Sequence, residues 1–128
     1  MSYITRWLQE PYVYYVAYDG QITLEAAVAV RKAVVPVLDN SAQTVHFLFD
    51  MQTVTGIAPS LSEMSQREEA ADFYQHPRLG WIVYVSEADN TFVRFMTSAL
   101  AQQYGARLRW YHSQADAVDF LREFHPNI

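Results

Sequence analysis

Cysteine is absent from the 128 residues, which excludes disulfides, thiolate metal sites and cysteine nucleophiles. Basic residues are few: nine Lys and Arg stand against fourteen Asp and Glu, and Lys32 is the only lysine. A net charge of −5 without a basic run is the wrong footprint for nucleic acid, which is held through clustered Lys and Arg. Glycine is sparse as well. Gly20, Gly56, Gly80 and Gly105 stand singly, so neither the dinucleotide fingerprint nor the phosphate-cradling P-loop is present. His46, His76, His112 and His125 show no i,i+4 pairing, and the acids are isolated, whereas zinc and magnesium need several converging ligands. No G-x-S-x-G elbow exposes a serine. The residues therefore predict no cofactor, no metal and no catalytic centre. No stretch approaches the roughly 18 apolar residues of a membrane span, and the opening MSYITRWLQE lacks a signal-peptide core, so a cytoplasmic protein is expected.

What is abundant is apolar and aromatic: 51% of the chain is hydrophobic and 15% aromatic. At this length such a composition supports one domain over residues 1–128, burying roughly two-thirds of its unfolded surface. Tyr3 to Gln9 and Tyr12 to Tyr18, rich in Tyr, Val and Ile, predict two opening strands, with a turn at Asp19-Gly20. Thr23 stands as an N-cap before Ala27, Val30, Val34 and Leu38, which predict a helix over about 23–38. Val45 to Phe49 and Trp81 to Val85 are apolar on both faces, as central strands covered on two sides would be. Ser60 and Glu63 form a Ser-x-x-Glu capping box before a helix ending at His76-Pro77. Asp89 or Asn90 caps a further helix with Phe92, Met96 and Ala99 as its buried stripe and Gly105 closing it. Leu108 to Tyr111 reads as an edge strand, and Ser113 starts a last helix through Ala117, Leu121 and Phe124. The order β-β-α-β-α-β-α-β-α calls for an α/β fold with a mostly parallel sheet and about four helices.

The stretch Thr44 to Met64, TVHFLFDMQTVTGIAPSLSEM, is the most informative. It reads as a strand ending in the acid Asp50, then a Thr/Gly/Pro loop, then the capped helix, and such strand-to-helix junctions are where α/β proteins usually place ligands or partners. The segment Ser86 to Asp89 and the pair His112-Ser113 follow strands too, and would gather with Asp50 on one rim. Period two puts Tyr12, Tyr14 and Tyr18 on one face of their strand, as core or as an aromatic contact surface.

The element order, the strand VHFLFD, its T-V-T-G loop and the later phrase HPRLGWIVYVSEADNTFVRFMTSAL resemble the STAS superfamily, and more closely its SpoIIAA-like, stand-alone bacterial branch, over nearly the whole chain. The resemblance implies a non-enzymatic regulatory domain that acts through a protein partner, an anti-sigma factor or serine kinase. In the phosphorylated antagonists the strand-end acid is followed by an Asp-Ser pair and a glycine, and that serine is the phosphoacceptor. Here Asp50 matches the acid and Ser60 is the nearest counterpart of the serine, without the Asp-Ser pair or the glycine. Ser60 is thus either a phosphoacceptor or a helix cap. The expected contact surface is the loop Thr53 to Ser60, with Thr55, and the outer face of the following helix around Ser62, Gln66, Arg67 and Glu69. A homodimer through Tyr3, Trp7 or the Tyr12/Tyr14/Tyr18 face is also expected, and the alternative role is a small-molecule or lipid-binding module with an apolar cleft between sheet and helices.

Overall fold

The computed structural model describes residues 3–65 and 68–128. Its strands and helices follow the predicted order: β1 Tyr3–Gln9, β2 Val13–Ile22, α1 Leu24–Asp39, β3 Val45–Ile57, α2 Leu61–Ser65, α3 Glu68–Tyr74, β4 Leu79–Val85, α4 Thr91–Gln103, β5 Leu108–Tyr111 and α5 Gln114–Arg122. The described residues hold five helical segments where about four helices were expected, the second predicted helix corresponding to α2 and α3, which flank residues 66 and 67.

The sheet runs β1-β2-β3-β4-β5, with β1 antiparallel to β2 and every other pairing parallel. Strand order never reverses. Right-handed crossovers that all advance in one direction must put their helices on one face of the sheet. The packing agrees: α1, α2, α3 and α4 bury Val30, Val34, Met64, Phe73, Val93 and Leu100 against Val16, Phe47, Phe49 and Ile82. On the other face α5 packs, setting Ala117 and Leu121 against Val13, Leu48 and Val83. An open sheet binds ligands in the crevice where its strand order turns back, and this sheet has no such point.

Aromatic abundance is absorbed by a band of rings across the helix-covered face. Trp7 meets Tyr14 edge-on at 5.1 Å, Tyr14 meets Phe47 at 5.8 Å, and Phe49, Tyr84 and Trp110 continue it at 5.4 and 4.8 Å. Each fully buried ring contributes about 1.5–3 kcal/mol by leaving water. Tyr14 and Tyr18 belong to this core, so the tyrosine face expected to dimerise is not a surface. Tyr12 departs from their face altogether: β2 begins at Val13, and Tyr12 stacks instead on His125 at 4.9 Å.

Three further expectations change. Residues 51–57, expected as loop, continue β3, because the tail of β2 pairs with them at Asp19↔Thr53, Gly20↔Val54 and Ile22↔Ile57. Gly20, with φ 71°, marks a bulge within β2 where a closing turn was predicted. On α4 the buried stripe is Val93, Met96, Thr97, Leu100 and Ala101, leaving Phe92 outside. Thr97 can be buried because its hydroxyl donates to the Val93 carbonyl at 2.9 Å.

Candidate functional site

Beyond Asp50, β3 is paired with β2 alone and forms an arm leading to α2. Thr53 and Thr55 are exposed on that arm, and the Thr53 hydroxyl donates to the Tyr18 carbonyl at 3.1 Å. The arm ends where the Ala58 N–H donates to the Ile22 carbonyl at 2.9 Å, so the true connection to α2 is only Ala58, Pro59 and Ser60.

Ser60 closes both halves of a capping box. Its hydroxyl accepts from the Glu63 N–H at 3.2 Å, and its own N–H donates to Glu63 Oε1 at 3.0 Å. The Ser60 N–H, and then its hydroxyl, hold the Glu63 carboxyl below the usual carboxylate range. Ser60 remains exposed, as does Ser62, while Glu69 of α3 is half-buried. Gln66 and Arg67 lie outside the described residues.

Asp50 is not free at the strand end. It accepts the Tyr15 hydroxyl at 2.6 Å and the Gln52 N–H at 3.1 Å. Burial first, and then this bond, push the Tyr15 phenol up to about 12. Because Tyr15 packs on the face that α5 covers, Asp50 is turned away from α2. The expected rim therefore assembles only in part: Ser86 and His112 share a 20 Å³ hollow with Arg94 and Trp110, without Asp50. Ser86 donates to the Ala88 carbonyl at 3.1 Å, and Asp89 pairs with Arg94 at 3.3 Å. Among the described residues no three His, Asp or Glu side chains come together as metal ligands.

What sequence reasoning missed is the outer face of α4. Phe92 and Phe95, one helical turn apart, are 56% and 63% exposed. They belong to the helix that packs directly on α2, where Met96, Thr97 and Leu100 line the same small hollow as Met64 and Ile57. In the sequence the spacing Val93, Met96, Thr97, Leu100 competes with Phe92, Met96, Ala99, and the polar threonine weakens the first.

No family model and no curated protein matches the sequence. Solved structures do match. The anti-sigma-factor antagonist SpoIIAA in its unphosphorylated form superposes with a TM-score of 0.61 at 11% identity, over 94% of this chain and 97% of that one. The chain has the SpoIIAA-like fold. An anti-sigma-factor antagonist from Mycobacterium paratuberculosis gives 0.61 at 19% identity over 94% and 95% of the two chains. An uncharacterised DUF3478 protein from Shewanella loihica PV-4, also SpoIIAA-like, gives 0.58 at 12% identity over 93% and 91%. Identities this low establish likeness of fold. No helix among the described residues is long and apolar enough to cross a membrane.

Proposed function

We propose that this chain is a non-enzymatic regulatory domain that works by binding a protein partner of the anti-sigma-factor or serine-kinase class. The observation that carries the reading is the exposed pair Phe92 and Phe95 on a helix that adjoins the capped start of α2. Exposed aromatic rings in a polar surround are the usual anchors of protein interfaces. The contact surface is taken to run from Thr53 and Thr55 on the β3 arm through Ser60, Ser62, Gln66, Arg67 and Glu69 to the outer face of α4. Two of the similar structures named above are anti-sigma-factor antagonists, which fits this class of partner. Phosphorylation of Ser60 would add charge at the centre of this surface.

Affinity capture from the source organism, with mass spectrometry, tests the reading. Wild-type protein is expected to recover an anti-sigma factor or serine kinase, and the Phe92→Ser/Phe95→Ser variant to lose it while keeping its stability within about 0.5 kcal/mol, as exposed substitutions usually do. Recovery of neither class, or equal recovery by the variant, rejects it.

A further inference from the structure

Between α1, α2 and the sheet, the larger core is not completely filled. A cavity of about 40 Å³ remains there, walled by Ile22, Val30, Phe49, Ile57 and Met64. One wall carries a charge. Arg31 of α1 is only 5% exposed, donates to the Met64 carbonyl at 3.0 Å, and holds its guanidinium carbon 5.8 Å from the Tyr74 ring centre. Among the described residues it forms no ion pair with a carboxylate. A guanidinium has five N–H donors and stays charged at all relevant pH, and burying it without a counter-ion is costly.

The remaining polar groups around the cavity share one character. Tyr18, Tyr74 and Tyr84 line it, and burial raises all three phenols above their ordinary range, so each stays protonated; the Tyr84 hydroxyl donates to that of Tyr74, which leaves the Tyr18 and Tyr74 hydroxyls to donate. The Thr97 hydroxyl is already committed to the Val93 carbonyl. Among the described residues no carboxylate lines the cavity. Glu68, Glu69 and Asp72 border instead the open groove between α1 and α3, which Arg31 and Lys32 also line. The interior thus offers a cation and phenolic donors inside an apolar shell.

We propose that this cavity binds a short-chain monocarboxylate, its carboxylate held by Arg31 and the tyrosine hydroxyls and its tail against Ile57 and Met64. The size argues for a short acid: roughly 10–15 Å³ of such space admits one water, so about 40 Å³ has room for a few heavy atoms and no long chain. Room for the tail comes from Met64, an adaptable side chain that separates this cavity from the adjoining 20 Å³ hollow beside Met96 and Leu100. Nothing in this assignment depends on the partner surface, because the cavity lies beneath the helices.

Calorimetric titration of the full chain with acetate, butyrate and octanoate at constant ionic strength tests it, with butyramide and sodium chloride as controls. Butyrate is expected to bind saturably and about tenfold more tightly than butyramide, the ratio given by exchanging a charged for a neutral hydrogen-bond acceptor. Arg31→Gln should abolish that preference, and Tyr74→Phe should weaken butyrate while leaving the fold intact. If Arg31→Gln does not fold, the butyrate-to-butyramide ratio in the wild type and in Tyr74→Phe decides. Absence of saturable butyrate binding, equal binding of butyramide, a comparable response to chloride, or binding of octanoate alone overturns the proposal.

Discussion

His46 shows how one side chain couples two distant parts of the chain. Its position on β3 is local information, but its depth is not: a polar ring in a sheet is expected to stay half-buried, whereas the structure leaves it 3% exposed. The difference comes from the C-terminal tail, which sets Phe124 and His125 at 6.0 and 5.1 Å from its ring. Nδ1 accepts the Trp81 N–H at 2.9 Å, so the neutral ring carries its proton on Nε2, which has no hydrogen-bond partner among the described residues. Burial, then the neighbouring His125 and Arg107, lower its pKa from 6.5 to about 4. The unfolded chain therefore takes up this proton first. Its contribution to stability is complete above pH 6.5 and is lost as the pH falls toward 4, with a slope of up to about 1.4 kcal/mol per pH unit. Urea midpoints near pH 7 and near pH 5 should differ accordingly, and a flat profile would mean that His46 is solvated. Gly80 is the matching constraint, since a Cβ there would lie 2.8 Å from Thr44 Cγ2 and closer still to the His46 ring. Gly80→Ala is expected to cost about 1–3 kcal/mol by overpacking, read from the same urea curves.

At the scale of elements, features set by neighbours in sequence were legible. Thr23, Asn90 and Ser113 cap α1, α4 and α5 as their spacing predicts, each accepting a backbone N–H three residues on at 3.1 Å. The capping box of α2 was equally plain, because Ser60 and Glu63 satisfy each other without help from the rest of the fold. Ser60→Ala should therefore lose about 0.5–2 kcal/mol, and Ser60→Asp should stay close to wild type, since Asp caps equally well and suits the helix dipole. Thermal melts of both variants check the cap. A Ser60→Asp protein that melts normally yet fails to bind its partner would mark Ser60 as a switch residue, and unchanged binding would leave it a cap alone. The β3 arm was not legible, for the opposite reason. Thr53, Thr55 and Gly56 read as loop until the tail of β2 is laid beside them, and that pairing joins residues more than thirty positions apart. The phase of α4 failed similarly, because only the tertiary fold decides between Phe92 and Val93 as the inward residue.

For the whole molecule, the alternation of strands and helices predicts a mostly parallel sheet with Val45 to Phe49 and Trp81 to Val85 inside it, while the strand order itself comes from the structure. The unequal cover of its two faces then follows. Helices α1 to α4 share one core, while α5 holds the other face with Ala117 and Leu121 as its fully buried residues. The two layers should come apart at different free energies, because a segment with few buried contacts can detach while the larger core stays closed. Native-state hydrogen exchange is expected to release the amides of α5 at lower denaturant than those of Val45 to Phe49, and simultaneous release would show a single cooperative unit. Detachment of α5 and the tail behind it would admit water to His46, whose protonation then holds the tail away. Mild acid should thus populate a form with four helices docked and the C-terminal hairpin of β5 and α5 loosened at its outer end, a species open to proteases only past His112.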